Sequence, residues 1–201
     1  MFGFGQKRAA AQTGAKPVKL HSIAGMLKGR TFAGSFGVAG RNYNFEFTPT
    51  RAAASANKLE LTGSMLITDP RSNAGASPRS AGNVKATLLA AQGGIGTAPA
   101  RAKLPSDVST AHPDLPVVES TGSLSFSGAL YFKLAQVDGR ALGVPADLRQ
   151  LQLNVRLAPV SDVERALQGA FSSVVDALYG AKVDSNGAKE SVEELNKLLG
   201  S

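Results

Sequence analysis

Two histidines, His21 and His112, are the chain's only side chains that titrate near neutral pH unaided. His112 stands in a proline-rich stretch with Asp114 two residues on, and His21 lies among basic residues. Neither shows the H-x-x-x-H or H-x-E spacing that sets up a zinc site. A serine nucleophile would need one of them as its base, and no Gly-x-Ser-x-Gly elbow occurs. Both read as solvated residues. Paired carboxylates can act as acid and base, as in glycosidases. Glu46, Glu60, Asp69 and Glu119 are the strand-proximal candidates, and ordinary surface charge is the better account of them. The chain has no cysteine, which excludes disulfides, thiolate nucleophiles and cysteine zinc sites.

Gln92-Gly93-Gly94-Ile95-Gly96 invites a phosphate-loop reading. A dinucleotide fingerprint needs a third small residue where Pro99 stands, then a helix whose dipole faces the phosphate. A Walker loop needs Gly-Lys-Ser/Thr, which is missing. Arg41, Tyr43, Phe45 and Phe47 interleave a cation with rings, as single-strand nucleic-acid binders do. The rings fall at every second position, however, which is how a strand fills a core. Nucleic acid is therefore the less favoured partner. The residues imply no enzyme, no cofactor and no metal.

Charge is the stronger signal. Over residues 1–45 there are seven basic residues and no acid, while from Glu46 onward 15 basic and 15 acidic residues cancel. The formal net charge of +7 thus belongs to the N-terminal fifth, which suits an anionic partner such as membrane headgroups or an acidic protein face. Phe2, Phe4, Lys7 and Arg8 resemble a small interfacial anchor, with rings beside cations. Lys16, Lys19 and Lys28 extend the cationic character. No h-region of a secretory signal follows the first charges. No stretch reaches the roughly 18 apolar residues of a membrane span.

Hydrophobic residues make up 43% of the chain, enough for one domain with a core. Strands are expected at Thr31–Val38, Tyr43–Phe47, Leu59–Thr68, Val84–Ala91, Ser123–Phe126, Ala129–Val137 and Leu151–Leu157. In the last, Leu151, Leu153, Val155 and Leu157 alternate with Gln152, Asn154 and Arg156, one dry face and one wet. Gly63 suggests a bulge or a close backbone approach. Leu20–Leu27 reads as a turn of helix. Residues 49–57, 69–82 and the proline-rich stretch 93–119 read as loops.

A helix is expected over about 162–179. Val163, Ala166, Leu167, Ala170, Phe171, Val174, Ala177 and Leu178 form its apolar stripe, opposite Glu164, Arg165, Gln168, Ser172 and Asp176. Ser161 and Glu164 have capping-box spacing. Gly180 suits a left-handed C-cap, and Tyr179 can staple the last turn to the body. Residues 181–188 read as a linker with an Asn186-Gly187 turn. A short helix over about 189–199 then presents Leu195, Leu198 and Leu199 to a partner.

The expected architecture is mainly β, an antiparallel sandwich or partly open barrel of about seven strands. It divides into a flexible basic arm (1–28), a β domain with packed helix (29–180), and a linker with a terminal helix (181–201). The expected role is a non-enzymatic structural or accessory subunit of a protein assembly. Its location would be cytoplasmic, peripheral at the inner face of a membrane where the arm engages anionic lipid. Phe2, Phe4, Lys7, Arg8, Lys16, Lys19, Lys28, Leu195, Leu198 and Leu199 would carry the contact. The alternative is a β-barrel carrier of a small molecule or lipid.

Overall fold

Period-two burial runs through the long strands and sets the curvature of one closed sheet. The computed structural model describes residues 18–71, 78–92, 128–135, 137–180 and 182–200. Its strands are β1 (Val18–Lys19), β2 (Ser22–Lys28), β3 (Thr31–Val38), β4 (Arg41–Ser55), β5 (Lys58–Thr68), β6 (Arg79–Gln92), β7 (Gly128–Ala135), β8 (Ala146–Asp147) and β9 (Gln152–Leu157). Two helices follow, α1 (Asp162–Tyr179) and α2 (Ser185–Gly200).

β2, β3, β4, β5, β6, β7 and β9 form a closed barrel, and β1 and β8 form a separate two-stranded pair. The protein is therefore mainly β, with a closed barrel rather than a sandwich or an open one. Closure leaves no sheet edge along the barrel wall. The sheet is also mixed. β2 and β9 pair in parallel at the closing seam, Ser22 opposite Gln152 and Met26 opposite Arg156.

The interior is aromatic. Tyr43, Phe45 and Phe47 point inward from β4 and are buried, as their alternation predicts. Phe32 of β3 stacks on Phe132 of β7 at 5.7 Å between centroids and lies 6.1 Å from Phe47. Phe171 of α1 joins the cluster at 6.0 Å from Phe32. Room for Phe45 comes from Gly25 and Gly34, which pair across β2 and β3. A Cβ at Gly25 would sit 2.8 Å from the tip of the Phe45 ring.

α1 plugs one end of the barrel. Its Ser161–Glu164 capping box forms as its spacing predicts. Leu167, Phe171, Val174, Val175 and Leu178 are buried. At its far end the Tyr179 hydroxyl donates to the Leu88 carbonyl at 2.8 Å and accepts from the Leu59 amide at 3.2 Å. α2 packs on α1 and on β4 beyond the point where β3 ends. There the Asn196 side-chain amide takes both backbone groups of Ala52, accepting its N–H at 2.7 Å and donating to its carbonyl at 2.9 Å. The side chain stands in for a neighbouring strand.

Several expectations change. Leu20–Leu27 is not helical, and Ser22–Lys28 is a barrel strand with Ile23, Gly25 and Leu27 inward at a period of two. The segment read as an arm over 1–28 therefore contributes a wall of the barrel. β4 continues through 49–55 with a register shift between Pro49 and Arg51. Its last partner in β3 is opposite Phe47, so the missing N–H of Pro49 leaves no ladder bond unmade. β6 begins at Arg79, inside the expected 69–82 loop.

Gly63 is both things its sequence context suggests. The register shifts beside it, and a Cβ there would strike the Thr48 carbonyl and Pro49. Asn186 and Gly187 form no linker turn but lie in the first turn of α2, where the Asp184 carboxylate accepts both amides at 3.1 and 3.0 Å. Gly180 has a φ of −66°, so the C-cap is not left-handed. Val163 is 41% exposed, while Glu164 and Gln168, expected on the wet face, are buried. The helix presses deeper on that side because the hairpin turn at Gly29 lies over it. Ser123–Phe126 and the whole proline-rich stretch 93–119 lie outside the described residues.

Candidate functional site

The end of the barrel opposite α1 is closed by chain instead of helix. Residues 137–151 fold across it, with Val137, Leu142, Val144, Leu148 and Leu151 turned inward and buried. Their polar neighbours consequently face outward. Gly139 lets the two limbs of this segment approach, since a Cβ there would collide with the Ala146 carbonyl. Between the limbs lies a cleft of about 570 Å³, lined by Asp138, Arg140, Asp147 and Arg149 among others.

One short pattern recurs at this end. Asp69-Pro70-Arg71, Asp138-Gly139-Arg140 and Asp147-Leu148-Arg149 are all Asp-x-Arg. In each, the aspartate Oδ1 accepts the backbone N–H of the arginine at 2.9 Å. The Asx turn ties the carboxylate to its own loop and sends the arginine outward. Arg149 folds back on its aspartate as a fork, Nε to Oδ1 at 3.0 Å and Nη2 to Oδ2 at 2.8 Å. Asp69 faces Arg41 at 3.8 Å. Among the described residues, Arg71 and Arg140 pair with no carboxylate.

The fork also sets the proton affinity of Asp147. The guanidinium and amide of Arg149, with Lys19 close by, pull its carboxyl down from 3.8 to about 2. Lys19 belongs here because β1 pairs with β8, Val18 opposite Ala146 and Lys19 opposite Asp147. The chain before Val18 therefore joins the body at the rim of this cleft.

The triplets share one face. Gly143 packs its backbone against Arg79, where a Cβ would sit 3.1 Å from the arginine Cδ. Arg79 pairs with Ile67, just ahead of the Asp69 turn. Lys19, Arg41, Arg71, Arg79, Arg140 and Arg149 thus gather at this end with three aspartates, Asp69, Asp138 and Asp147.

The residues singled out from sequence fare differently. Phe2, Phe4, Lys7, Arg8 and Lys16 lie outside the described residues. Lys19 is exposed at the cleft, whereas Lys28 is exposed at the opposite end beside the β2–β3 turn. Leu195 and Leu199 are buried and Leu198 half-buried. Those leucines hold α2 to its own domain, so the expected apolar grip is internal packing. The helix needed a dry surface, and α1 with β4 was the nearest one.

The acid–base candidates are dispersed. Glu60 pairs with Lys85 at 2.9 Å, Asp69 with Arg41, and Glu46 is exposed on β4. Glu119 and His112 lie outside the described residues. His21 is exposed and contributes its carbonyl to the seam, accepting the Gln152 N–H at 2.9 Å. The Tyr43–Phe47 rings face the core, so they offer no stacking surface.

Sequence reasoning passed over Arg71, Arg140 and Arg149. The threefold recurrence of Asp-x-Arg was the signal that marked them. Among the described residues no group of three histidine or acidic side chains could hold a metal ion, and no helix is long and apolar enough to cross a membrane. No family model, curated protein or solved structure matches the chain.

Proposed function

We propose that this protein is a non-enzymatic accessory subunit that docks on an anionic surface of a larger assembly. The contact is made by the basic end of its barrel together with the cationic residues that precede Val18. The carrying observation is the position of Lys19, held beside Asp147 and Arg149 at the cleft rim. Lys7, Arg8 and Lys16 precede this strand in the sequence, and Lys19 itself stands at the same end as the arginines of the Asp-x-Arg turns. Cations concentrated on one surface raise association rates and favour anionic partners. A cytoplasmic site at a membrane face or on an acidic protein surface fits this charge. The carrier reading gains no support from the core, since Phe32, Phe47, Phe132 and Phe171 occupy the barrel axis where a ligand would sit.

The test removes residues 1–17 and stops there, because Ser22–Lys28 is a wall of the barrel. The shortened chain should melt like the full chain. Used as bait in affinity purification, it should lose a salt-sensitive partner that the full chain retains. Identical recovery by both chains at physiological salt would end the reading.

A further inference from the structure

We propose that the barrel end bearing Lys19, Arg71, Arg140 and Arg149 is a docking face for an anionic phospholipid bilayer, with the outward guanidiniums as ligands for lipid phosphate. The inference rests on the accessory-subunit reading and names one surface on which that subunit sits.

Three observations converge. Arg71 and Arg140 are exposed and pair with no described carboxylate. The aspartate of each triplet accepts the arginine amide of its own turn at 2.9 Å, so the loops are braced. Arg149 is clasped by Asp147, while Arg71 and Arg140 are presented outward. Arginine suits phosphate because its planar fork matches two oxygens at once. Between two of these loops lies the cleft of about 570 Å³, lined by Asp138 and Asp147 as well as the arginines. Arg149 is held by Asp147 there, so Arg140 is the cation the cleft offers to a headgroup phosphate.

Apolar exposure chooses a bilayer over the other polyanions. Val18 is 56% exposed immediately beside Lys19, the pairing of apolar side chain and cation that settles at a headgroup layer. The rings at this end, Phe36 and Tyr43, are buried, so this described surface offers no aromatic shelf for bases. The opposite end supplies the contrast. Residues 161–200 carry seven acidic and four basic residues, which orients the molecule with its helices away from an anionic membrane.

The experiment is vesicle co-sedimentation of the full chain, using phosphatidylcholine vesicles with and without phosphatidylglycerol. The comparison set is the wild type, the double variant Arg71→Glu/Arg140→Glu, and Lys28→Glu at the helix end. Each cation near an anionic surface contributes several-fold, so the double variant should lose at least about tenfold in binding. Lys28→Glu should stay within about twofold of wild type. Wild-type binding should require phosphatidylglycerol and fall with salt. All three side chains are exposed, so circular dichroism should show unchanged folding.

Equal wild-type binding to both vesicle types would overturn the proposal, as would full binding by the double variant. Stronger competition by a duplex oligonucleotide than by anionic vesicles would overturn it too, in favour of nucleic acid. If the wild type ignores vesicles yet loses a partner on removal of residues 1–17, this inference falls and the accessory-subunit reading stands.

Discussion

The two ends of the barrel solve one problem in opposite ways. Each must cover a ring of inward-facing apolar side chains. The helix end does so with polar bonds between residues far apart in sequence. Glu164 accepts the Gly29 N–H across 135 positions, Tyr179 joins Leu59 and Leu88 across 120 and 91, and Asn196 holds Ala52 across 144. The basic end closes with apolar residues of 137–151, and its Asp-x-Arg hydrogen bonds span two positions each. Where polar groups knit distant elements together, the fold depends on them. Where the carboxylate hydrogen-bonds within its own loop, as at Asp138, the neighbouring Arg140 pairs with no described carboxylate. The long-range polar bonds and the proposed docking surface thus lie at opposite poles of one molecule.

The largest expected effect is at the helix plug. Phe171→Ala removes the ring that α1 places 6.0 Å from Phe32 and opens a cavity on the barrel axis. A loss of about 3–5 kcal/mol is expected in a denaturant titration. A loss below about 1 kcal/mol would mean that α1 lies on the barrel without filling it. That result would dissolve the contrast between the helix end and the proposed docking end.

Glu164 comes next. Its carboxylate accepts N–H groups from Gly29 at 2.7 Å, Val160 at 2.7 Å and Ser161 at 3.2 Å. Those donors hold its pKa below the ordinary 4.5, that of Gly29 first. Glu164→Gln keeps the shape, removes the charge and turns one acceptor into a donor. About 1.5–3 kcal/mol should be lost at neutral pH. A depressed pKa contributes stability that is fully present above 4.5 and disappears as pH falls through the folded value. The gap between wild type and variant should therefore narrow on acidification. Arg140→Ala, in contrast, should stay within about 0.5 kcal/mol of wild type. Equal costs for the two substitutions would erase the division of labour.

Much of this layout is legible in the residues themselves, and the reasons for the rest are specific. α1 has the bounds its period and cap imply, because Ser161 and Glu164 are local signals that tertiary contacts reinforced. The strands from Thr31, Leu59 and Leu151 were legible because alternation there is clean. β2 was hidden because Ala24 and Gly25 dilute its pattern, and the loop reading of 49–57 failed because Pro49 mimics a strand end. Closure of the barrel was not readable at all. It depends on β2 meeting β9 in parallel, a pairing across more than a hundred residues that no local pattern encodes. The N-terminal cations were visible as composition, but the address of Lys19 was not. The β1–β8 register supplies it.

The smallest expected effect concerns Asp147, and it separates a surface of constant charge from a pH switch. The Arg149 fork pulls its carboxyl down from 3.8 to about 2. Its share of stability is then present above 3.8 and lost only as pH falls through about 2. Across the physiological range Asp147 stays ionised and keeps Arg149 in place, so the charge of the cleft does not change. Carboxyl NMR should show an Asp147 midpoint near 2 in the wild type. In Arg149→Gln it should rise toward 3.8, with Lys19 still holding it somewhat below. A wild-type midpoint already near 3.8 would show the clasp open in solution. Arg149 would then be as free as Arg140, and the cleft would hold two unpaired cations instead of one.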